Sequence, residues 1–378
     1  MDDKNDHTPD LIAKIRDTCI DCPQCQAECT FLARYGTPRE ILSAYDATDP
    51  ALFRMAYECS LCGLCGAVCP VGLRPGELFM AMRREAVSAG VAPLRAHKRV
   101  LAYEKRGTSR RYSYYSLPRG CDTVFFPGCA LPGTRPSKTL ALYDHLKTLI
   151  PDIGIVLDCC CKPSRDLGRT RYFLDMLAEM KSYLSANNIK RIVTACPNCH
   201  VVFTEHGHPF ETQSVYDVLT KHGLPPGTPD PNRTLAIHDA CATRHDASLQ
   251  DAVRRIAGAK GLHLREMPHS RKKALCCGKG GAVECVDTSL PMAWRTMRMD
   301  EAADNPVITY CAGCTEGLQG RTPVFHLIDL LFDPNCIATG NPRASGSPIT
   351  YLNRLWLKHT LKKRENPAAA RERTYSAQ

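Results

Sequence analysis

From Thr123 onward the apolar positions come in short unbroken runs: Thr123-Val-Phe-Phe, Arg191-Ile-Val-Thr, Thr234-Leu-Ala-Ile-His and Pro306-Val-Ile-Thr. Runs of this length, rich in β-branched and aromatic residues, predict strands buried on both faces. Between them lie longer stretches with helical apolar spacing: Ser137–Ile150, Arg171–Asn187, Leu249–Ala259 and Leu290–Ala303. Strands alternating with helices imply parallel βαβ units. Before Gly90 the pattern is helical throughout, with Ile41, Leu42 and Tyr45, then Leu52, Met55 and Ala56, then Leu78, Phe79 and Met82. Pro38, Pro50 and Pro75 stand at helix starts and Gly90 at a helix end. The expected architecture is a multidomain α/β chain with a helical unit in front.

The α/β part repeats itself. Cys129 closes one strand run and Cys241 closes another, 112 positions later. Cys159-Cys160-Cys161-Lys162-Pro163 answers Cys276-Cys277-Gly278-Lys279-Gly280. Cys196 and Cys199 answer Cys311 and Cys314 at an offset of 115, and Val215–Leu219 and Val324–Leu331 close the units. Landmarks at near-constant offset read as a tandem duplication. In parallel sheets ligands gather beyond the carboxyl ends of the strands, which is where Cys129, Cys196, Cys241 and Cys311 fall.

The helical part holds Cys59, Cys62, Cys65 and Cys69 at spacing C-x2-C-x2-C-x3-C, followed by Pro70. This is the ligand run of a bacterial-type [4Fe–4S] cluster. Each two-residue gap aims successive thiolates at one cube. The longer gap and the proline carry the fourth cysteine away, which requires a second run. Cys19, Cys22, Cys25 and Cys29 supply it, with Thr30 where proline is usual.

Of 378 residues, 22 are cysteine, clustered as metal ligands cluster rather than as disulfide staples. With a polar start and no apolar signal region, the expected location is a reducing cytoplasm. No stretch approaches the roughly 18 apolar residues of a membrane span, so membrane contact is expected to be peripheral or through a partner. The net charge of +10 is concentrated in residues 94–119, at +7, and 353–374, at +5. These read as a basic linker and a basic tail, the latter carrying a short amphipathic helix with Leu352, Leu355 and Trp356. Such placement argues against a nucleic-acid-binding face. The expected divisions are 1–93, a linker 94–120, repeats at 121–232 and 233–340, and a tail 341–378. Gly278-Lys-Gly280-Gly281 lacks phosphate-loop spacing and reads instead as backbone passing close to a cluster. His238 is a strand-end histidine that could donate a proton or simply be structural. Cys121, Cys285 and Cys336 have no partner at motif spacing and read as buried small residues.

The N-terminal unit resembles the α-helical ferredoxin domain of succinate dehydrogenase iron–sulfur subunits. The repeated pattern of Cys, CysCys and CxxC resembles the cysteine-rich CCG domain, here met twice. Together they resemble the D-type subunit of heterodisulfide reductase, and the iron–sulfur subunits of anaerobic glycerol-3-phosphate dehydrogenase and glycolate oxidase. The resemblance implies an α-helical ferredoxin domain followed by two tandem Rossmann-like α/β CCG domains. It implies two [4Fe–4S] cubanes with crossed ligation, Cys19, Cys22, Cys25 and Cys69 on one and Cys59, Cys62, Cys65 and Cys29 on the other. It implies one or two noncubane [4Fe–4S] clusters with five thiolates each. Cys241, Cys276, Cys277, Cys311 and Cys314 form the complete set, expected to be catalytic. The first repeat offers Cys129, Cys196, Cys199 and two of Cys159–Cys161. The lysines after each pair favour Cys159 with Cys160, while the intervals to CxxC favour Cys160 with Cys161. Ala240-Cys241-Ala242 departs from the Pro-Cys-His of many relatives. The implied activity is disulfide reduction, or else relay of electrons from a flavin dehydrogenase to quinone. The implied partners are a flavoprotein, a ferredoxin or a membrane cytochrome subunit.

Overall fold

The computed structural model describes residues 8–43, 50–227, 234–333, 335–340, 342 and 344–377. The N-terminal unit is a cage of short helices: Thr8–Thr18, Gln24–Ala27, Thr30–Tyr35, Pro38–Ser43, Pro50–Ala56, Leu64–Val68 and Pro75–Ser88. Proline opens three of them, where its missing N–H leaves no bond unmade. Phe31, Leu42, Tyr57, Phe79 and Met82 fill its core. Tyr45 of the expected pattern lies outside the described residues.

Ten strands follow: β1 Tyr114–Leu117, β2 Thr123–Phe126, β3 Gly154–Leu157, β4 Arg191–Thr194, β5 Glu211–Ser214, β6 Thr234–His238, β7 His263–Glu266, β8 Val307–Thr309, β9 Val324–His326 and β10 Ala369–Arg371. One sheet runs β10-β1-β3-β2-β4-β5 and the other β7-β6-β8-β9. The shared core of each, β3-β2-β4-β5 and β7-β6-β8-β9, is wholly parallel, so both repeats place their strands in the order second, first, third, fourth. In register, Val124 pairs with Gly154 and Ile192, and Ile237 pairs with Glu266 and Ile308. The duplication read from cysteine spacing is thus also a duplication of topology.

Two stretches expected as connectors are structural. Within 94–120 lie the helix Lys98–Gly107 and β1, which pairs antiparallel with β3. Tyr-Tyr-Ser-Leu is buried at all four positions, so its tyrosines are core residues rather than surface ones. The tail returns to the first repeat as the helix Ile349–Arg364 and then as β10, antiparallel to β1. That helix buries Arg354, Leu357, Lys358 and Leu361 against the helices Ala130–Thr134 and Pro136–Leu149. Its outer face carries Ile349, Leu352 and Trp356, at 52, 66 and 47% exposure.

The repeats pack reciprocally. The last helix of the first, Val215–His222, lies on the first helix of the second, Ala247–Ala259. The helix Pro136–Leu149 lies in turn on Leu327–Phe332. One apolar core spans both repeats. The N-terminal core takes in Cys276, Val283, Leu290 and Trp294, which fixes the helical cage to the second repeat. No helix among the described residues is long and apolar enough to cross a membrane.

Candidate metal centres

All 22 cysteines are free thiols. In the N-terminal unit, tight turns gather them: Leu61 and Gly63 adopt positive φ within the second run, and the Leu61 N–H donates to Cys59 Sγ at 3.4 Å. Burial pushes the Cys25 thiol up to about 11, and the thiols of Cys19, Cys22 and Cys69 push the same way. Cys29 is raised by burial and then by Cys62 and Cys59. Cys65 is raised by burial, then by Cys59, Cys62 and Cys29. Cys69 therefore faces the first run and Cys29 the second. Cys19, Cys22, Cys25 and Cys69 line one cavity together with Cys65, Ile20 and Val71. The raised thiols of Cys25, Cys29 and Cys65 keep their protons until a cation displaces them, and soft sulfur donors suit iron–sulfur clusters.

In the first repeat, Cys129 lies three residues beyond β2 and Cys196 two beyond β4. Cys160 Sγ is 3.5 Å from Cys199 Sγ, and Cys159 bonds to Cys129. A Cβ on Gly128, at φ 80°, would stand 3.1 Å from both Cys196 Cβ and Cys199 Sγ. Hydrogen bonds from Cys159 and Cys199 bring the Cys160 thiol down to about 6, against the effect of burial. In the second repeat the thiols of Cys276 and Cys241, of Cys277 and Cys314, and of Cys311 and Cys314 shift one another, and Cys277 and Cys314 lie in one group with His238 whose ligand atoms fall within 4.8 Å. The Gly278 N–H donates to Cys276 Sγ at 3.3 Å. The two sites correspond: Cys159 meets Cys129 as Cys276 meets Cys241, and Cys160 meets Cys199 as Cys277 meets Cys314.

Cys161 has no cysteine counterpart in the second repeat. It is left-handed, at φ 55°, where the second repeat has Gly278 at φ 84°. Its sulfur turns back to the Cys159 carbonyl at 3.7 Å and lies with Cys159 and Glu104 in a buried group whose ligand atoms fall within 4.8 Å of one another. The geometry thus gathers Cys159 and Cys160, not Cys160 and Cys161, around Cys129 and Cys199. Cys159→Ser is expected to strip the first site of its iron, about four atoms. Cys161→Gly relieves a left-handed backbone and should leave the iron content unchanged; inductively coupled plasma analysis of both variants checks this.

His238 is buried. Burial and then Arg298 hold its ring neutral, with a pKa of about 3. Its Nδ1 accepts from Arg298 Nε at 2.9 Å, so the proton sits on Nε2, and the ring stands with Cys277 and Cys314 in one group. Cys121 and Cys336 are buried and Cys285 is half-buried.

The second repeat abuts the N-terminal unit at the thiols themselves. Cys241 feels Cys62, Cys59 feels Cys276, and Ser60 bonds to Cys276. Gly280 and Gly281 permit this approach: a Cβ on either would stand 2.5 or 2.6 Å from the carbonyl oxygens of Ser60 and Cys59. Between the two repeats, the buried Tyr216 donates to the Tyr310 carbonyl at 3.1 Å and feels both Cys311 and Cys196. Sequence reasoning missed Arg83 and Arg244, whose side chains donate to the carbonyls of Cys59 and Cys62. Nothing in their local spacing distinguishes them from other helix and loop arginines.

Residues 16–73 match the family described as 4Fe-4S dicluster domain, and 123–204 and 235–319 each match the cysteine-rich domain family CCG. The D-type subunit of the dihydromethanophenazine:CoB–CoM heterodisulfide reductase of Methanosarcina barkeri is 22% identical over 291 residues, 68% of this chain and 70% of that one. A probable membrane-anchored ferredoxin of Chromohalobacter salexigens is 24% identical over 322 residues, 76% of this chain and 48% of that one. An EtfAB:quinone oxidoreductase of Syntrophomonas wolfei is 22% identical over 260 residues, 60% and 36% of the two chains. The chain belongs to the iron–sulfur proteins typified by the D-type subunit of heterodisulfide reductase, with a 4Fe-4S dicluster domain followed by two cysteine-rich domains.

Proposed function

We propose that this iron–sulfur oxidoreductase subunit carries electrons from two [4Fe–4S] cubanes to noncubane clusters in the CCG domains, where a disulfide is reduced. Cys19, Cys22, Cys25 and Cys69 hold the outer cubane, and Cys29, Cys59, Cys62 and Cys65 the inner one. Cys241, Cys276, Cys277, Cys311 and Cys314 hold the cluster that meets substrate, and Cys129, Cys159, Cys160, Cys196 and Cys199 hold its counterpart. The observation that carries this reading is the close approach of the loop Cys59–Cys62 to the second repeat, where Gly280 and Gly281 lie against the carbonyls of Ser60 and Cys59 and Arg244 donates to the Cys62 carbonyl. Electron transfer needs short gaps, and this one is closed by adjacent ligand loops. Bound iron supplies a Lewis-acidic partner for a departing thiolate. Overall, one disulfide takes up two electrons and two protons and yields two thiols.

A second reading is a relay between a flavoprotein and quinone, with a ferredoxin or membrane cytochrome as further candidate partners. The resemblance to an EtfAB:quinone oxidoreductase and to a membrane-anchored ferredoxin favours it. So does the exposed apolar face of Ile349–Arg364, which suits a peripheral membrane or partner contact.

Anaerobic reconstitution is expected to load about 16 irons, four per cluster. Half that number would leave the CCG domains without clusters. Reduced protein mixed with a panel of disulfides should give a new paramagnetic signal that depends on the disulfide. Rapid oxidation by a quinone analogue, with no such signal from any disulfide, would select the relay.

A further inference from the structure

The buried arginines fall into two sets. Arg135, Arg298 and Arg373 each meet a carboxylate, at 2.8 Å on Asp329, 2.6 Å on Glu301 and 3.1 Å on Asp158. Arg83, Arg244 and Arg354 are equally buried, yet no carboxylate among the described residues stands within ion-pair distance of them. Arg83 is fully enclosed and donates only to main-chain carbonyls: Ala56 at 3.0 Å, Asp166 at 2.7 Å, Gly281 at 3.2 Å and Cys59 at 2.6 Å. The nearby Asp166 carboxylate is taken by Lys162. Arg244 donates to the carbonyls of Cys62 at 3.0 Å, Ala274 at 2.8 Å and Lys272. Arg354 lies between the rings of Tyr103 and Tyr112, beside Cys129 and Cys159.

A guanidinium is not buried without a countercharge unless something else supplies the negative charge. All three unpaired arginines stand at thiol clusters. A cubane with four thiolate ligands is an anion in both its oxidised and its reduced level. No buried arginine among the described residues stands at the outer set; there Asp21 accepts from Cys19 Sγ at 3.8 Å and meets Arg39, whose side chain is exposed, at 3.5 Å. Burial alone would depress the inner cluster's potential, because the reduced form carries the greater charge. Two uncancelled cations in a low-dielectric setting reverse that order.

We propose that Arg83 and Arg244 are the counter-ions of the inner cubane and raise its reduction potential above that of the outer one. An electron entering the chain then comes to rest beside the second cysteine-rich site. This rests on the crossed cubane assignment above.

The test is an anaerobic redox titration of the reconstituted full chain, followed by electron paramagnetic resonance, after an iron assay has shown both cubanes present. An iron content short of about eight for the N-terminal unit would sink the cubane assignment rather than the counter-ion role. Cys29→Ser identifies the inner wave by removing it. That wave should be the higher of the two. Arg83→Gln and Arg244→Gln should each move it to lower potential and leave the outer wave in place, whereas Arg83→Lys, which keeps the charge, should stay near the wild-type value. Arg83 also ties three units together, so Arg244→Gln serves as the decisive variant if Arg83→Gln does not fold. An inner wave that is the lower one, equal movement of both waves, or iron-loaded Arg244→Gln with an unmoved wave would each overturn the proposal.

Discussion

Asp329→Ala is expected to destabilise the chain by about 3–5 kcal/mol, a large share of the roughly 5–15 kcal/mol that holds a domain together. Asp329 is fully buried and accepts from Arg135 and from Lys138, both at 2.8 Å. Those two cations come from the first repeat and Asp329 from the second. Removing the carboxylate leaves two buried positive charges facing each other, and it also removes the capping box that starts Leu327–Phe332. Chemical denaturation of the reduced apoprotein should show the midpoint falling. Burial pushes the Asp329 carboxyl up, but Arg135 and then Lys138 outweigh it and hold the folded value below the ordinary one. Its contribution is therefore present above the unfolded value of about 3.9 and is lost as pH falls through the lower folded value. Asp329→Asn should flatten the acid limb of stability in that window.

The crossed cubane ligation gives the second large effect. Cys29→Ser combined with Cys62→Ser should cost only one cubane, about four irons, because the proposed assignment puts both residues at the inner site. Cys29→Ser combined with Cys25→Ser should cost both cubanes, about eight irons. The opposite pattern would mean that each run closes its own cube. Sequence spacing alone does not separate these outcomes. The Coulombic influence of Cys62 and Cys59 on Cys29, and of Cys69 on Cys25, is what supports the crossed pattern as the expected one.

Much of the fold is legible in the sequence because buried parallel strands are apolar on both faces. Thr123-Val-Phe-Phe and Arg191-Ile-Val-Thr announce β2 and β4 without ambiguity, and the intervening helices fall within two residues of the expected ends. β7, His263-Leu-Arg-Glu, escapes because it is an edge strand with half-exposed residues and no apolar run. β1 and β10 escape for a different reason. Their charged neighbours dominate the composition, and what makes β10 a strand is its pairing with β1 across more than 250 positions, while β1 pairs with both β10 and β3. Long-range pairing leaves no local trace. The exposed face of Ile349–Arg364 is hidden on similar grounds: helical periodicity offers two candidate faces, and the docking surface selects the one lined by Leu357 and Leu361. At the metal sites the cysteine runs are plain, since spacing is the signal. The preference for Cys159 with Cys160 over Cys160 with Cys161 draws on the left-handed turn at Cys161, which no spacing reveals.

The pairing of β10 with β1 bears on the order of assembly during synthesis. Residues 369–371 leave the ribosome after every strand of the second sheet, yet they form the outer edge of the first. Domains generally settle from the N-terminal side as they emerge, but here the earlier repeat must wait with an open edge while the later one closes. The outer edge of the first sheet, and the helix that sets Arg354 beside Cys129 and Cys159, are therefore completed only once residues 349–371 have emerged.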